Sequence, residues 1–217
     1  MTAETTRRQS PLGHRAAELA GAPTSVRLRE VPFLTQLDLR VDPVGPAAGA
    51  VARILGAPLP TEPNTAVRSG ALTTMWLGPD EFLVLAPADP TDILADPTDV
   101  LATDLEGDLE SDFETDLRRA VADEDGAVVD VSAHRTTIEL SGDRVLDVLA
   151  KGCSLDLHPS VFTVGRCEQV LLGRAPVLLL ARGGDSPAYL LLVRSSFATY
   201  VADWLLDASL EYAGTDG

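Results

Sequence analysis

The sequence predicts an α+β protein of two similar lobes, each an antiparallel sheet with helices on one face. Three observations predict it. Short runs of strand-like alternation are separated by single amphipathic segments. The pair LDLRV and AVARILGAPL in the first half is answered by TTIEL and RVLDVLAKGCSL in the second, a recurrence that marks an internal structural duplication. The last three strand candidates are almost continuously apolar, as strands covered on both faces must be.

Taken in order, residues 1–24 read as a flexible N-terminal arm. They are polar, carry Pro11, Gly13, Gly21 and Pro23, and sustain no period, so His14 reads as a solvated tail residue. Order is expected from residue 25, with lobe 1 over about 25–125, lobe 2 over about 126–212 and a tail at 213–217. FLTQLDLRV alternates, with Leu37, Leu39 and Val41 on one face and Asp38 and Arg40 on the other. A helix follows over 46–55, with Pro46 in its first turn, Val51, Ile54 and Leu55 inward, and Gly56 at its end. Residues 57–69 read as a loop with three prolines. ALTTMWL and EFLVLA flank Gly78-Pro79-Asp80, a hairpin turn.

The next stretch, 88–125, holds fourteen acidic residues against Arg118 and Arg119. The formal net charge is −16, yet outside this stretch nineteen acids face fifteen bases. The folded body is therefore nearly balanced, and residues 88–112, with the quasi-repeat DPTDILA/DPTDVLA, read as an acidic insertion. A solvated surface loop is preferred over an electrostatic docking strip. Phe113, Leu117, Ala120 and Val121 then fall at helical spacing.

In the second half, VVDVS and TTIEL are strands around a turn at Ser132–Arg135. A helix over 142–151 takes Ser141 as N-cap and Gly152 as its stop, with Val145, Leu146, Val148 and Leu149 inward. CEQVLLG, PVLLLAR and AYLLLVR follow as strands. From Ser196, a terminal helix presents Phe197, Tyr200, Val201, Trp204, Leu205, Ala208 and Tyr212 on one face. On this reading Trp204→Ala is expected to cost about 3–5 kcal/mol.

Composition excludes several functions. A strongly acidic chain is repelled by a phosphate backbone, so no nucleic-acid partner is expected. No apolar run approaches the ~20 residues that span a bilayer, and no leader segment is legible, so no membrane partner is expected. Two cysteines make no disulfide framework and suit a reducing cytoplasm. There is no GxGxxG after a strand and no P-loop. Arg182-Gly183-Gly184-Asp185 reads as a hairpin turn. Cys153, His158 and Cys167 are separated by four and eight residues, which is loose for zinc, so both cysteines read as core residues. Asp130, Ser132 and His134 are close in sequence, but neighbours on a strand point to opposite faces. His134 is preferred as a turn residue at an interface over a general base. Asp80, Glu81 and Asp156 could hold a ligand amine but read first as solvated turn carboxylates. No catalytic, cofactor-binding or metal-binding residue is assigned.

Several motifs together carry a family resemblance: D-V-S-x-x-R-T at Asp130–Thr136, L-S-G at Leu140–Gly142, V-L-A-K-G-C-x-L-D-L-H-P at Val148–Pro159, G-R-C at Gly165–Cys167, the segment Arg194–Ala198 with one extra serine, and WLGPDEFLVL in the first half. With these the chain resembles the gamma subunits of heterotetrameric sarcosine oxidase over about Ser25–Tyr212, residues 88–112 excepted. The resemblance implies two ferredoxin-like lobes, similar to the folate-binding domain of the glycine-cleavage T-protein. It implies a non-catalytic structural subunit that binds no cofactor itself. It also implies partner alpha, beta and delta subunits that carry FAD, FMN, NAD and zinc, with tetrahydrofolate as co-substrate and sarcosine demethylated to glycine. The expected interface residues are Trp76, His134, Arg135, Cys153, Asp156 and His158. The alternatives are a stand-alone folate-dependent aminomethyl-transfer protein and an acidic regulatory factor docking through 88–125.

Overall fold

A computed structural model of the chain describes residues 8–87, 113–183 and 186–213. The expected insertion at 88–112 and the Gly184–Asp185 part of the expected turn lie outside the described residues.

Two five-stranded antiparallel sheets stack face to face, each with helices on its outer side. The elements run β1 (Arg27–Val31), β2 (Thr35–Arg40), β3 (Ala66–Ser69), β4 (Leu72–Gly78), β5 (Glu81–Ala86), β6 (Ala127–Asp130), β7 (Arg135–Ser141), β8 (Cys167–Leu172), β9 (Ala175–Arg182) and β10 (Ala188–Arg194). The helices are α1 (Ala16–Ala20), α2 (Ala48–Leu55), α3 (Phe113–Val121), α4 (Val145–Ala150) and α5 (Ala198–Ser209).

The first sheet has strand order β3-β4-β5-β2-β6 and the second β1-β7-β10-β9-β8. In the first, β2-α2-β4-β5-α3-β6 is the βαββαβ path of a ferredoxin-like lobe, with β3 added at one edge. The second repeats it as β7-α4-β9-β10-α5 with β8 added. Its fourth-strand position is taken by β1, from the start of the chain, which pairs antiparallel with β7. The duplication expected from the sequence is thus present. The lobes do not divide between 125 and 126, however. β1 closes the second sheet, and β6 closes the first by pairing with β2. Strands β6 and β7 therefore belong to different sheets, and the turn between them is a crossing, not a hairpin.

Period-two alternation sorts the apolar side chains into three layers. Leu37, Leu39, Phe82 and Val84 pack under Val51 and Leu55 of α2 and Leu117 and Val121 of α3. Ile138, Leu140, Val177, Leu179, Leu191 and Val193 pack under Val145 and Leu149 of α4 and Val201 and Leu205 of α5. Between the sheets, Met75, Leu83 and Leu85 meet Cys167, Leu178, Leu180, Leu190 and Leu192. The sheets also touch at their edges, where Ala66 N donates to Gly165 O at 2.7 Å and Cys167 N to Asn64 O at 2.9 Å. This contact explains the strand Ala66–Ser69 inside a stretch expected to be loop: its partner strand β4 supplies the hydrogen bonds that its composition does not advertise.

The expected arm is folded from Ser10 onward. Leu12 and Leu19 are fully enclosed in the second lobe's helix-side core, and Arg15 pairs with Asp203 of α5 at 2.6 Å. The anchor is Glu30, whose carboxylate accepts from Ser10 Oγ at 2.7 Å, Leu12 N at 3.2 Å and Thr136 Oγ1 at 2.6 Å. Glu30 occupies a helix-side position of β1 where an apolar residue would complete the alternation, which hides this strand in the sequence. Glu30→Ala is expected to cost about 2 kcal/mol, since three hydrogen bonds to a charged acceptor are lost. Faster tryptic cleavage at Arg15 and a lower urea midpoint would report it.

Two helices differ from expectation. Helix α4 begins at Val145, not at 142, and Ser141 does not cap it; Arg144 occupies the N-cap without a side-chain bond. Gly142 lies instead at φ +130°, against Ser25, so the chain turns there before the helix begins. Helix α5 is rotated from its expected face. Ala198, Val201, Ala202, Leu205, Ala208 and Ser209 are buried, while Trp204 is half-buried and Tyr200 is 39% exposed. These two aromatics cover a turn: Tyr200 Oη accepts from Arg174 N at 3.2 Å, and the Trp204 ring lies over Gly152. Losing that lid is expected to cost about 2 kcal/mol, less than the truncation of an enclosed tryptophan.

Candidate functional site

The connection between β6 and β7 carries the chain from one sheet to the other, and it is tied down from three sides. Val131 N donates to Gln36 O at 2.8 Å and His134 N to Val131 O at 2.9 Å. Asp130 Oδ1 accepts from Ser132 N at 2.8 Å and Ser132 Oγ at 2.5 Å, and the bond from the Ser132 hydroxyl is the main reason its carboxyl titrates below the usual range. Ser132 Oγ in turn accepts from Gln36 N at 3.0 Å, and the buried Gln36 Nε2 donates to Arg135 O at 2.9 Å. From the other side, Ser195 donates its backbone N–H to His134 O at 3.0 Å and its hydroxyl to Ala133 O at 3.1 Å.

This network consumes the Ser132 hydroxyl structurally. His134 is exposed, and desolvation, with Arg135 and Arg194 beside it, holds its imidazole below the ordinary histidine value. Ser132, His134 and Asp130 thus form a braced turn rather than a nucleophile and base.

The bracing fixes Arg135 at the first position of β7, directly opposite Arg194 of β10. By register, Arg135, Arg194, Pro176 and Leu171 form one row across four adjacent strands of the second sheet, on the face turned toward the first. Here that face runs past its cover. A cavity of about 230 Å³ opens there, with Arg135, Arg194, Gln169, Leu171 and Leu178 on its floor and sides and Leu77 of the first sheet at its lip. Leu171 is 60% exposed. Neither guanidinium has an ion pair or a side-chain hydrogen bond among the described residues. Desolvation, then the charge of Arg194, pulls Arg135 below the ordinary arginine value, against the opposing charges of Asp38 and Glu81. The opposite end of the same face is balanced: Glu139 sits between Arg29 and Arg182, with N–O distances of 3.0 Å to each.

The other expected interface residues do not gather here. Trp76 packs half-buried on the first lobe's helix-side core, while its neighbour Leu77 points the other way, into the cavity. Cys153 is buried in the helix-side core of the second lobe and Cys167 in the layer between the sheets. The sheet itself separates the two thiols, which rules out a shared metal. Burial pushes Cys167 up to about 12, so its thiol is inert at neutral pH. Asp156 accepts from His158 N at 3.0 Å, and His158 Nδ1 accepts from Ser160 N at 3.2 Å. These bonds shape a loop whose Val161 and Val164 are 58% and 69% exposed. Asp80 and Glu81 both face Arg40, at 3.6 and 2.8 Å, so they are occupied carboxylates. Among the described residues, no group of three or more metal-ligating side chains converges, and no helix is long and apolar enough to cross a membrane.

Arg194, Gln169, Leu171 and Leu77 were missed in the sequence. Arg194 alone had a signal, its place at the head of the RSSFA segment. The rest depend on strand register.

Residues 40–211 match a family model described as sarcosine oxidase, gamma subunit family. Sarcosine oxidase gamma subunits from Corynebacterium sp. (strain P-1) and Arthrobacter sp. are each 36% identical, over 95% and 96% of this chain and 92% and 93% of their own lengths. Among solved structures, heterotetrameric sarcosine oxidase from Corynebacterium sp. U-96 contains a chain similar at TM-score 0.79 and 34% identity, covering 95% of this chain and 97% of that one. The glycine-cleavage aminomethyltransferase T of Bartonella henselae is similar at TM-score 0.55 and 15% identity, over 90% of this chain and 49% of that one, a likeness of fold alone.

Proposed function

Because the chain belongs to the sarcosine oxidase gamma subunit family, we propose that it is the non-catalytic structural subunit of a complex that demethylates sarcosine to glycine with oxygen as electron acceptor. Water and oxygen enter, and hydrogen peroxide and formaldehyde leave; when tetrahydrofolate is present, it captures the one-carbon unit as 5,10-methylenetetrahydrofolate. Alpha, beta and delta subunits are the partners on this reading. They carry FAD, FMN, NAD and zinc, and the assembly works in the cytoplasm. The observation that carries the reading is that this chain and the gamma-type chain of the solved oxidase match nearly end to end.

The side-chain chemistry is in keeping with a docking role. Ser132, Asp130, Asp80 and Glu81 are engaged with neighbours, and Cys167 is buried and protonated. The candidate contact surfaces are the braced His134–Arg135 turn and the loop that follows Cys153, where Val161 and Val164 stand exposed. Permanent interfaces bury such apolar side chains against a partner.

Co-expression with the neighbouring large chains tests the proposal. A yellow, flavin-containing complex that retains this chain through gel filtration is expected. A colourless chain that elutes alone, beside a complete and active oxidase lacking it, would refute the reading.

A further inference from the structure

Two arginines directly opposite each other on paired strands repel, and such like-charged pairs weaken a sheet. Arg135 and Arg194 are so placed, one of them half-buried, with no carboxylate bound to either among the described residues. The protein holds this arrangement deliberately: Gln36 clamps the Arg135 carbonyl and Ser195 clamps the turn before it, so neither strand end can splay to relieve the repulsion. At the other end of the same face, two arginines share Glu139. At the Arg135–Arg194 end, Asp38 and Glu81 of the first sheet lend Arg135 some opposite charge, but both pair with Arg40, and no carboxylate bonds either guanidinium among the described residues. A half-buried guanidinium beside an exposed one, at the edge of a largely apolar cavity, is an ion-pair site without a bonded acid.

We propose that this cavity is a socket for a carboxylate side chain of a partner subunit of the oxidase, entering beside an apolar residue that covers Leu171. The inference rests on the subunit reading above. Charge complementarity selects the carboxylate, because a planar guanidinium offers parallel N–H donors that match its two oxygens. The volume of about 230 Å³ admits one or two side chains. The exposed Leu171 and the lip at Leu77 supply the water-excluding rim that raises the worth of a buried ion pair.

The test measures binding of the purified chain to the rest of the complex, prepared without it, at low and high salt. The double variant Arg135→Gln/Arg194→Gln is compared with wild type and with Arg53→Gln/Arg119→Gln, which carries the same net charge. The socket variant is expected to bind about tenfold or more weakly and with a flatter salt dependence. Its isolated melting temperature should be little changed, because the repulsion removed offsets the lost attraction of Arg135 to Asp38 and Glu81. The single variant Arg194→Gln, at an exposed site, should show a smaller loss and guards against a folding defect in the double variant. Binding within about twofold of the charge-matched control at both salts would overturn the socket while leaving the subunit reading intact. Failure of the wild-type chain itself to bind would instead remove the reading beneath it. Acetate titrated into the isolated chain serves as the probe for a small-molecule site, and saturation below about 1 mM would overturn the partner as occupant.

Discussion

Gly142→Ala is expected to destabilise the protein by about 3–5 kcal/mol, from a left-handed backbone conformation forced on alanine together with a steric clash. Gly142 sits at φ +130°, and a Cβ there would lie 2.4 Å from Ser25 O and 2.8 Å from Ser25 C. These are backbone atoms, so no side chain can swing aside. The same Ser25 carbonyl accepts from Arg144 N at 3.0 Å, and Gly142 N donates to Pro187 O at 3.2 Å. The glycine thus holds together the lead-in to β1, the lead-in to α4 and the loop before β10. Displacing Ser25 would pull β1 away from β7, and with it the strand that closes the second sheet. Urea unfolding measures the effect, and a loss below about 1 kcal/mol would show that this junction relaxes freely.

Leu205→Ala is expected to cost about 3 kcal/mol, within the usual range for an enclosed leucine. Leu205 is fully buried on α5, in the cluster that joins this helix to β7, β9, β10 and α4. The cavity it leaves lies between the helix layer and the second sheet, inside one close-packed cluster, and collapses poorly. Because α5 also carries Asp203, the partner of Arg15, loosening it should raise amide exchange in the N-terminal helix as well as in α5. Exchange that rises in α5 alone would show that the two segments are not coupled.

Much of the fold was legible because it follows from local rules. Leu37, Leu39 and Val41 alternate as a strand must, and both halves repeat the same succession of strands and helices. The continuously apolar runs at β9 and β10 announce strands buried on both sides, and both sides are covered; β8, expected to be covered likewise, is an edge strand whose Gln169 and Leu171 are exposed. Where local rules and tertiary demands conflicted, the sequence misled. Glu30 sits in a core-facing row because Ser10, Leu12 and Thr136 satisfy it, so β1 lost its alternation and the arm looked detached. The aromatics of α5 attracted the apolar face toward themselves, yet small residues line the buried side, where Ala198 and Ala202 allow close approach. Tyr200 and Trp204 lie toward the rim because their size suits them to cover Gly152 and the turn beside Arg174.

The candidate site divides in the same way. His134 and Arg135 were picked out as a turn at an interface. Arg194, about sixty positions away, is marked only by its place at the head of the RSSFA segment, and Gln169, Leu171 and Leu77 carry no local mark at all. Strand register brings these residues together, and register is fixed by which side chains are buried across a whole sheet.

By itself the sequence determined the fold class, the duplication, the family motifs and the uneven charge, since each is written in composition or short-range period. The tertiary structure alone decided that the first strand completes the second lobe and the sixth strand the first. It alone set two arginines face to face at an open rim. Hydrogen-bond pairing between distant segments makes those choices, and a strand carries no local mark of which partner it will find.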